Sequence, residues 1–240
     1  DIVLADTDGT VTVTTDAAGT DDGNITLGSV EHDGTKWDLT LTADTADIIF
    51  SGTVGQADRI GLLTASAANI DFEASVDASG IRAAATGTIG IDDDNTGNGV
   101  TLDIGGVASS FDAPEMGADD GDNAAIIDSV GAAPLLLRPT APGSAFDVGD
   151  GADGGSIEVS NYILQAIDST ISQVEIGYDA GQYDGPADQS GQITVDSDGG
   201  VSIAAPVTVQ ADSAPVQIDD GLTLSQNLDG LVVNGAVNAV

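Results

Sequence analysis

Asp47-Ile48-Ile49-Phe50-Ser51-Gly52-Thr53-Val54 is answered, about 22 residues later, by Asn69-Ile70-Asp71-Phe72-Glu73-Ala74-Ser75-Val76. Both lines read polar, Ile, any, Phe, polar, small, Ser/Thr, Val. Their flanks keep the offset, since Leu41-Thr42-Ala43-Asp44 aligns with Leu63-Thr64-Ala65-Ser66. Asn24-Ile25-Thr26-Leu27-Gly28-Ser29-Val30 is an earlier, looser copy. A period of this length, made of short β-type runs, belongs to a stacked coil in which each repeat buries its apolar side against the next. The reading predicts an all-β fold of stacked coils, a β-solenoid with coils of about 22 residues. Ile48, Phe50, Ile70 and Phe72 should form interior columns.

Working outward, the same alternation recurs. Val11-Thr12-Val13-Thr14, Ile25-Thr26-Leu27 and Leu39-Thr40-Leu41-Thr42 each put one face in and one face out. Asp/Gly turns separate them. Val100 to Ile104, Val174 to Gly177, Gln192 to Val195, Val201 to Ile203 and Val207 to Val209 continue the theme. Asn161 to Ile167 is the best helical segment, though two turns are marginal alone. Residues 105–142 read as a loop-rich interruption of a single domain, 1–240. They hold Pro114 and the run Asp119-Asp120-Gly121-Asp122; the pattern resumes at Ile126-Ile127 and at Leu135-Leu136-Leu137, which Pro134, Pro139 and Pro142 bracket as a short buried strand between turns.

Composition limits the function. Forty acids face 4 bases, for a net charge of −36. Pairing every base would leave 36 acids, so nucleic acid and anionic lipid are set aside as partners. Self-repulsion on this scale opposes compaction. Seawater-like salt, with a Debye length of about 4 Å, or bound divalent cations would relieve it. Asp far outnumbers Glu, which favours turns and oxygen-ligand sites over helices. There is no cysteine, so disulfides and thiolate metal sites are excluded. No run of 18 apolar residues occurs, so no membrane insertion is expected. A first residue of Asp fits a processed protein or an excerpt of a longer one.

Oxygen-rich loops supply the candidate metal ligands. Asp92, Asp94, Thr96 and Asp103 occupy positions 1, 3, 5 and 12 of a calcium-type loop with Gly97 at position 6. Asp119, Asp120 and Asp122 form a second candidate, and Asp147, Asp150 and Asp153 a third. The expected cofactor is Ca²⁺. Catalytic signals are sparse. His32, the single histidine, sits between Glu31 and Asp33 in an apparent turn. No nucleophile-elbow or phosphate-cradling motif is present. A carbohydrate-active β-helix enzyme is the alternative, with Asp71 and Glu73 as its acid pair; surface solvation explains that pair better. Arg59 and Arg82 are expected to pair with neighbouring Asp.

The C-terminal half resembles the large secreted exoproteins of filamentous-haemagglutinin type and related bacterial surface adhesins. The resemblance is carried by Asn161-Tyr162-Ile163-Leu164-Gln165-Ala166-Ile167, Gln173-Val174-Glu175-Ile176-Gly177, Gly191-Gln192-Ile193-Thr194-Val195 and Val201-Ser202-Ile203. Ile48-Ile49-Phe50-Ser51-Gly52-Thr53-Val54 is similar to the family's Val-x-Phe-x-Gly-x-Val unit, while residues 105–142 depart from the pattern. The resemblance implies a right-handed parallel β-helix, export to the cell surface and a role in adhesion or matrix. The expectation is an extracellular structural or adhesive β-solenoid, not an enzyme, and a segment or subunit of an adhesin, filament or surface layer. Its expected partners are further repeats or copies of itself, end to end, and surface polysaccharide. The acidity points to a marine or halophilic setting.

Overall fold

The computed structural model describes residues 2–4, 9–15, 23–32, 36–92, 99–118, 125–149, 158–178, 191–195, 201–218, 222–224 and 231–239. Among them the chain is almost wholly β, with one short helix, and every strand pairing is parallel. The strands fall into three ladders that the chain visits in turn.

The first ladder runs from Ile2–Leu4 to Val30–His32, through single bridges at Val54 and Val76, then to Thr101–Asp103, Ile126–Asp128 and Ile167. The second stacks Thr10–Thr14, Asp38–Thr42, Ile60–Ala67, Val76–Ala85, Ser109–Asp112, Pro134–Arg138, Gln173–Gly177, Val207–Ile218 and Leu231–Ala239. The third begins Ile25–Leu27, Ile48–Phe50, Ile70–Phe72, Thr88–Ile91 and Glu115–Ala118. Val201–Ile203 and Leu222–Leu224 form a separate pair. Long parallel ladders of this kind are compatible with a β-solenoid.

The opening repeat is in register. Ile48 pairs with Ile70 and Phe50 with Phe72, and all four are buried. The two rings stack 4.7 Å apart and 10° from parallel, and Phe111 continues the row at 6.4 Å from Phe72. Such stacking contributes about 0.5–1.5 kcal/mol beyond area burial. Ile25, Leu27, Leu39 and Leu41 are buried as their alternation predicts. The spacing between partners varies: 22 residues from Ile48 to Ile70, 19 from Ile70 to Ile89, 27 from Ile89 to Met116. The turns between ladders absorb the difference.

Polar side chains knit the start of the third ladder. Asn24, Asp47, Asn69 and Thr88 each precede its inward apolar residue. The Asp47 N–H donates to Asn24 Oδ1 at 3.2 Å. Asn69 Nδ2 donates to Asp47 Oδ1 at 2.8 Å, and the Thr88 N–H to Asn69 Oδ1 at 2.9 Å. Turn amides that the strands leave unpaired are satisfied in this way.

Within the interval 105–142, Ile126–Asp128 and Pro134–Arg138 are strands where the pattern is expected to resume, whereas Ser109–Asp112 and Glu115–Ala118, expected to lie in a loop, are also paired within the ladders. The inward positions there include Ser109 and Ala113, whose small side chains hide the alternation around the buried Phe111. The true irregularity lies further on. In the third ladder Glu158–Val159 sits between Glu115–Ala118 and Phe146–Val148, out of chain order. The helix Asn161–Ala166 follows directly, and Ser160 caps it by accepting from the Ile163 N–H. Ile163 and Leu164 are buried, so tertiary packing holds a helix too short to persist alone.

Candidate functional site

The first ladder repeats an apolar residue followed by Asp: Val76-Asp77, Leu102-Asp103, Ile127-Asp128 and Ile167-Asp168. The apolar residue of each pair is buried. Parallel register carries the aspartates into one outward column, Asp77 against Asp103 and Asp103 against Asp128, with Asp168 one position beyond the Ile127–Ile167 bridge. Neighbouring strands lie about 4.8 Å apart, so the carboxylates repel strongly.

Arg59 partly neutralises this column. Its Nε lies 2.6 Å from Asp77 Oδ1, and its Nη2 bonds to Asp103 Oδ2. Asp103 Oδ1 also accepts from the Gly105 N–H at 2.9 Å and the Val130 N–H at 3.4 Å. Gly105 is required at its place. Its φ is +59°, and a Cβ would lie 2.6 Å from Arg59 Nη1 and 2.7 Å from the Ala78 carbonyl oxygen. Beyond the guanidinium, Asp168 Oδ1 accepts from the Thr170 N–H at 2.9 Å. Asp128 Oδ1 is buried without a hydrogen-bond partner among the described residues.

The protonation equilibria follow this geometry. Burial raises the Asp128 pKa, and Asp103 and Asp168 raise it further against the pull of Arg59. Asp77 is also raised, first by burial, with Arg59 opposing and Asp103 adding.

A second polar cluster lies on the outward side of the second ladder. Arg138 is 5% exposed and Glu175 1%. Arg138 is in register with Asp112, and the Tyr178 ring covers its guanidinium at 5.2 Å from the ring centre. The Tyr178 hydroxyl donates to the Pro139 carbonyl at 2.7 Å. Burial pushes its pKa up to about 12. Burial raises Asp112 too, while Arg138 and a hydrogen bond from Ser110 oppose the shift. Leu136, outward between the inward Leu135 and Leu137, is likewise buried. Ser110 and Asp112, on the same side of this ladder, remain half-buried.

The calcium candidates are placed unevenly. Asp92 is 2% exposed in a left-handed conformation, φ 56°, with its N–H donating to the Phe72 carbonyl. Asp103, expected to close the loop that Asp92 opens, is engaged by Arg59 and two backbone amides. Asp147 stands half-buried between Phe146 and Val148, in register with Thr194 and Glu158. Asp94, Thr96, Asp119, Asp120, Asp122, Asp150 and Asp153 lie outside the described residues. Among the described residues, no group of three or more His, Cys, Asp or Glu side chains is arranged to hold a metal ion. His32, expected in a turn, closes the strand Val30–His32. Asp71 of the acid pair neighbours Ile49 and Gly90 in its ladder.

Reading outward acids loop by loop missed the Asp77–Asp168 column. The signal in the sequence is an apolar-Asp dipeptide at each of these four strands, and it is masked by the same dipeptide at Ile91-Asp92, Phe111-Asp112 and Phe146-Asp147. No protein-family model, curated protein or solved structure matches this chain.

Proposed function

We propose that the protein is an extracellular structural β-solenoid, a right-handed parallel β-helix whose coils centre on about 22 residues. Its role is non-catalytic: a segment or subunit of a surface adhesin, filament or surface layer, at the cell surface or secreted, in salt- or calcium-rich surroundings. One observation carries the reading. Three parallel ladders enclose a continuous apolar core, from Ile25 to Val216. Such a core is extended by adding another coil, whether from the same chain or another copy.

The charge is consistent with this role. A scaffold that stacks on itself needs its outward faces kept apart, and a net charge of −36 does that while salt or Ca²⁺ sets the repulsion. Surface polysaccharide is the proposed outside partner, met by hydroxyl-rich and carboxylate-rich turns. Electron microscopy of the purified chain in Ca²⁺ and in high salt tests the assembly. Filaments or a lattice are expected; dispersed particles under every condition would rule out self-assembly as its role.

A further inference from the structure

We infer that Asn24 is an acceptor for asparagine-linked glycan, the attachment point for an oligosaccharide on this chain. Asn24-Ile25-Thr26 is the only Asn-x-Ser/Thr triplet in the sequence. Motif alone is weak; the structure adds accessibility and contrast. Asn24 and Thr26 are both exposed, while the intervening Ile25 is buried. Positions i and i+2 of a strand share a face, so the acceptor amide and the hydroxyl the motif requires lie on one open side. Gly23 adds no bulk, and a Cβ built there would meet nothing within 4 Å.

The contrast is with Asn69, two strands along the same ladder. Asn69 is half-buried, and both ends of its amide are used: Nδ2 donates to Asp47 Oδ1 and Oδ1 accepts from the Thr88 N–H. Asn24 engages only Oδ1, with the Asp47 N–H at 3.2 Å. Its Nδ2, the atom that is glycosylated, carries no hydrogen bond among the described residues. Asn69 also has Asp71 where the motif needs a hydroxyl. One column thus holds a spent amide and an available one.

The transfer balances with a polyprenyl-diphosphate oligosaccharide as donor. Asn24 Nδ2 forms the new bond to the sugar C1, and the C1–O bond to the diphosphate breaks. The diphosphate leaves with the electron pair, and the amide gives one proton to a base of the transferase. The inference rests on the extracellular reading for where the chain would meet that donor.

The test incubates the purified, folded full chain with an oligosaccharyltransferase and its lipid-linked donor, followed by intact-mass measurement and peptide mapping. One adduct is expected, on the tryptic peptide 1–36, absent in Asn24→Gln, reduced at least tenfold in Thr26→Ala and retained in Thr26→Ser. Asp71→Thr places a complete motif on Asn69. That variant, checked for native circular dichroism, is expected to stay unmodified at Asn69 while folded and to react once digested. No adduct on folded Asn24, or equal modification of folded Asn69, overturns the inference. In a second arm the chain is exported through a glycosylating host. An adduct in the purified reaction but none after export would uphold the site and count against the extracellular reading.

Discussion

Asp128 shows what one residue can cost in this fold. Its buried Oδ1 has no hydrogen-bond partner among the described residues, and the charges of Asp103, Asp168 and Asp77 bear on it, so keeping this carboxylate ionised costs about 1–3 kcal/mol. Asp128→Asn is therefore expected to stabilise the protein by about 1 kcal/mol at pH 7 in low salt, and by less in 1 M salt; urea denaturation measures both. Arg59 is the counterpart. Arg59→Gln leaves Asp77 and Asp103 facing each other without the guanidinium that bridges them, at an expected loss of about 2–3 kcal/mol. Adding Asp77→Asn to Arg59→Gln should recover part of that loss, which a double-mutant cycle reads directly. In the core, Phe72→Ala removes the middle ring of the Phe50–Phe72–Phe111 row, at an expected cost of about 3–5 kcal/mol by the same measurement.

Ladders and their edges set behaviour at the scale of elements. The apolar columns were legible from Ile48, Phe50, Ile70 and Phe72, because strand periodicity and repeat spacing agree there. Ser109–Asp112 and Glu115–Ala118 were not legible. The first has the small Ser109 at an inward position, which signals neither face, and the second shows a single buried apolar residue, Met116. The inserted strand Glu158–Val159 could not have been placed from local pattern at all, since its neighbours were decided by ladder position and not by chain order. The helix was visible as a helical segment, yet its stability comes from burying Ile163 and Leu164. Ser160→Ala should cost less than about 1 kcal/mol, at the low end for a cap, because the capping bond is long at 3.4 Å. A thermal melt of this variant would show a correspondingly small shift.

Across the whole molecule, charge decides how stability responds to solution conditions. Asp77, Asp112 and Asp128 have folded pKa values above the ordinary 3.8. Each binds its proton more tightly folded than unfolded. The stability they contribute is complete below 3.8 and is lost as pH rises through the folded values. In low salt, the melting temperature should accordingly fall as pH rises from just below 4 through that window. The triple variant Asp77→Asn, Asp112→Asn, Asp128→Asn should flatten the profile there; an unchanged slope would show that other groups set it. Salt should raise the melting temperature at pH 7 by screening the net charge of −36. If Ca²⁺ bridges acidic turns, millimolar Ca²⁺ should raise it further at constant ionic strength and EDTA should reverse the gain. A melting temperature indifferent to Ca²⁺, EDTA and salt would remove cations from the account.

By itself the sequence determined the strand-and-turn character, the parallel stacking of the Ile and Phe columns, and the acid excess. All three are local or additive, because alternation, repeat spacing and composition do not depend on what lies across the fold. Tertiary structure alone decided which acids meet. Asp77, Asp103, Asp128 and Asp168 are far apart in the chain and adjacent in the first ladder. Only the register, set by buried partners such as Val76, Leu102, Ile127 and Ile167, brings their carboxylates within repulsive range and delivers Arg59 to two of them. The opening repeat supplied the stack; the lengths of the turns between its strands chose what that stack places side by side.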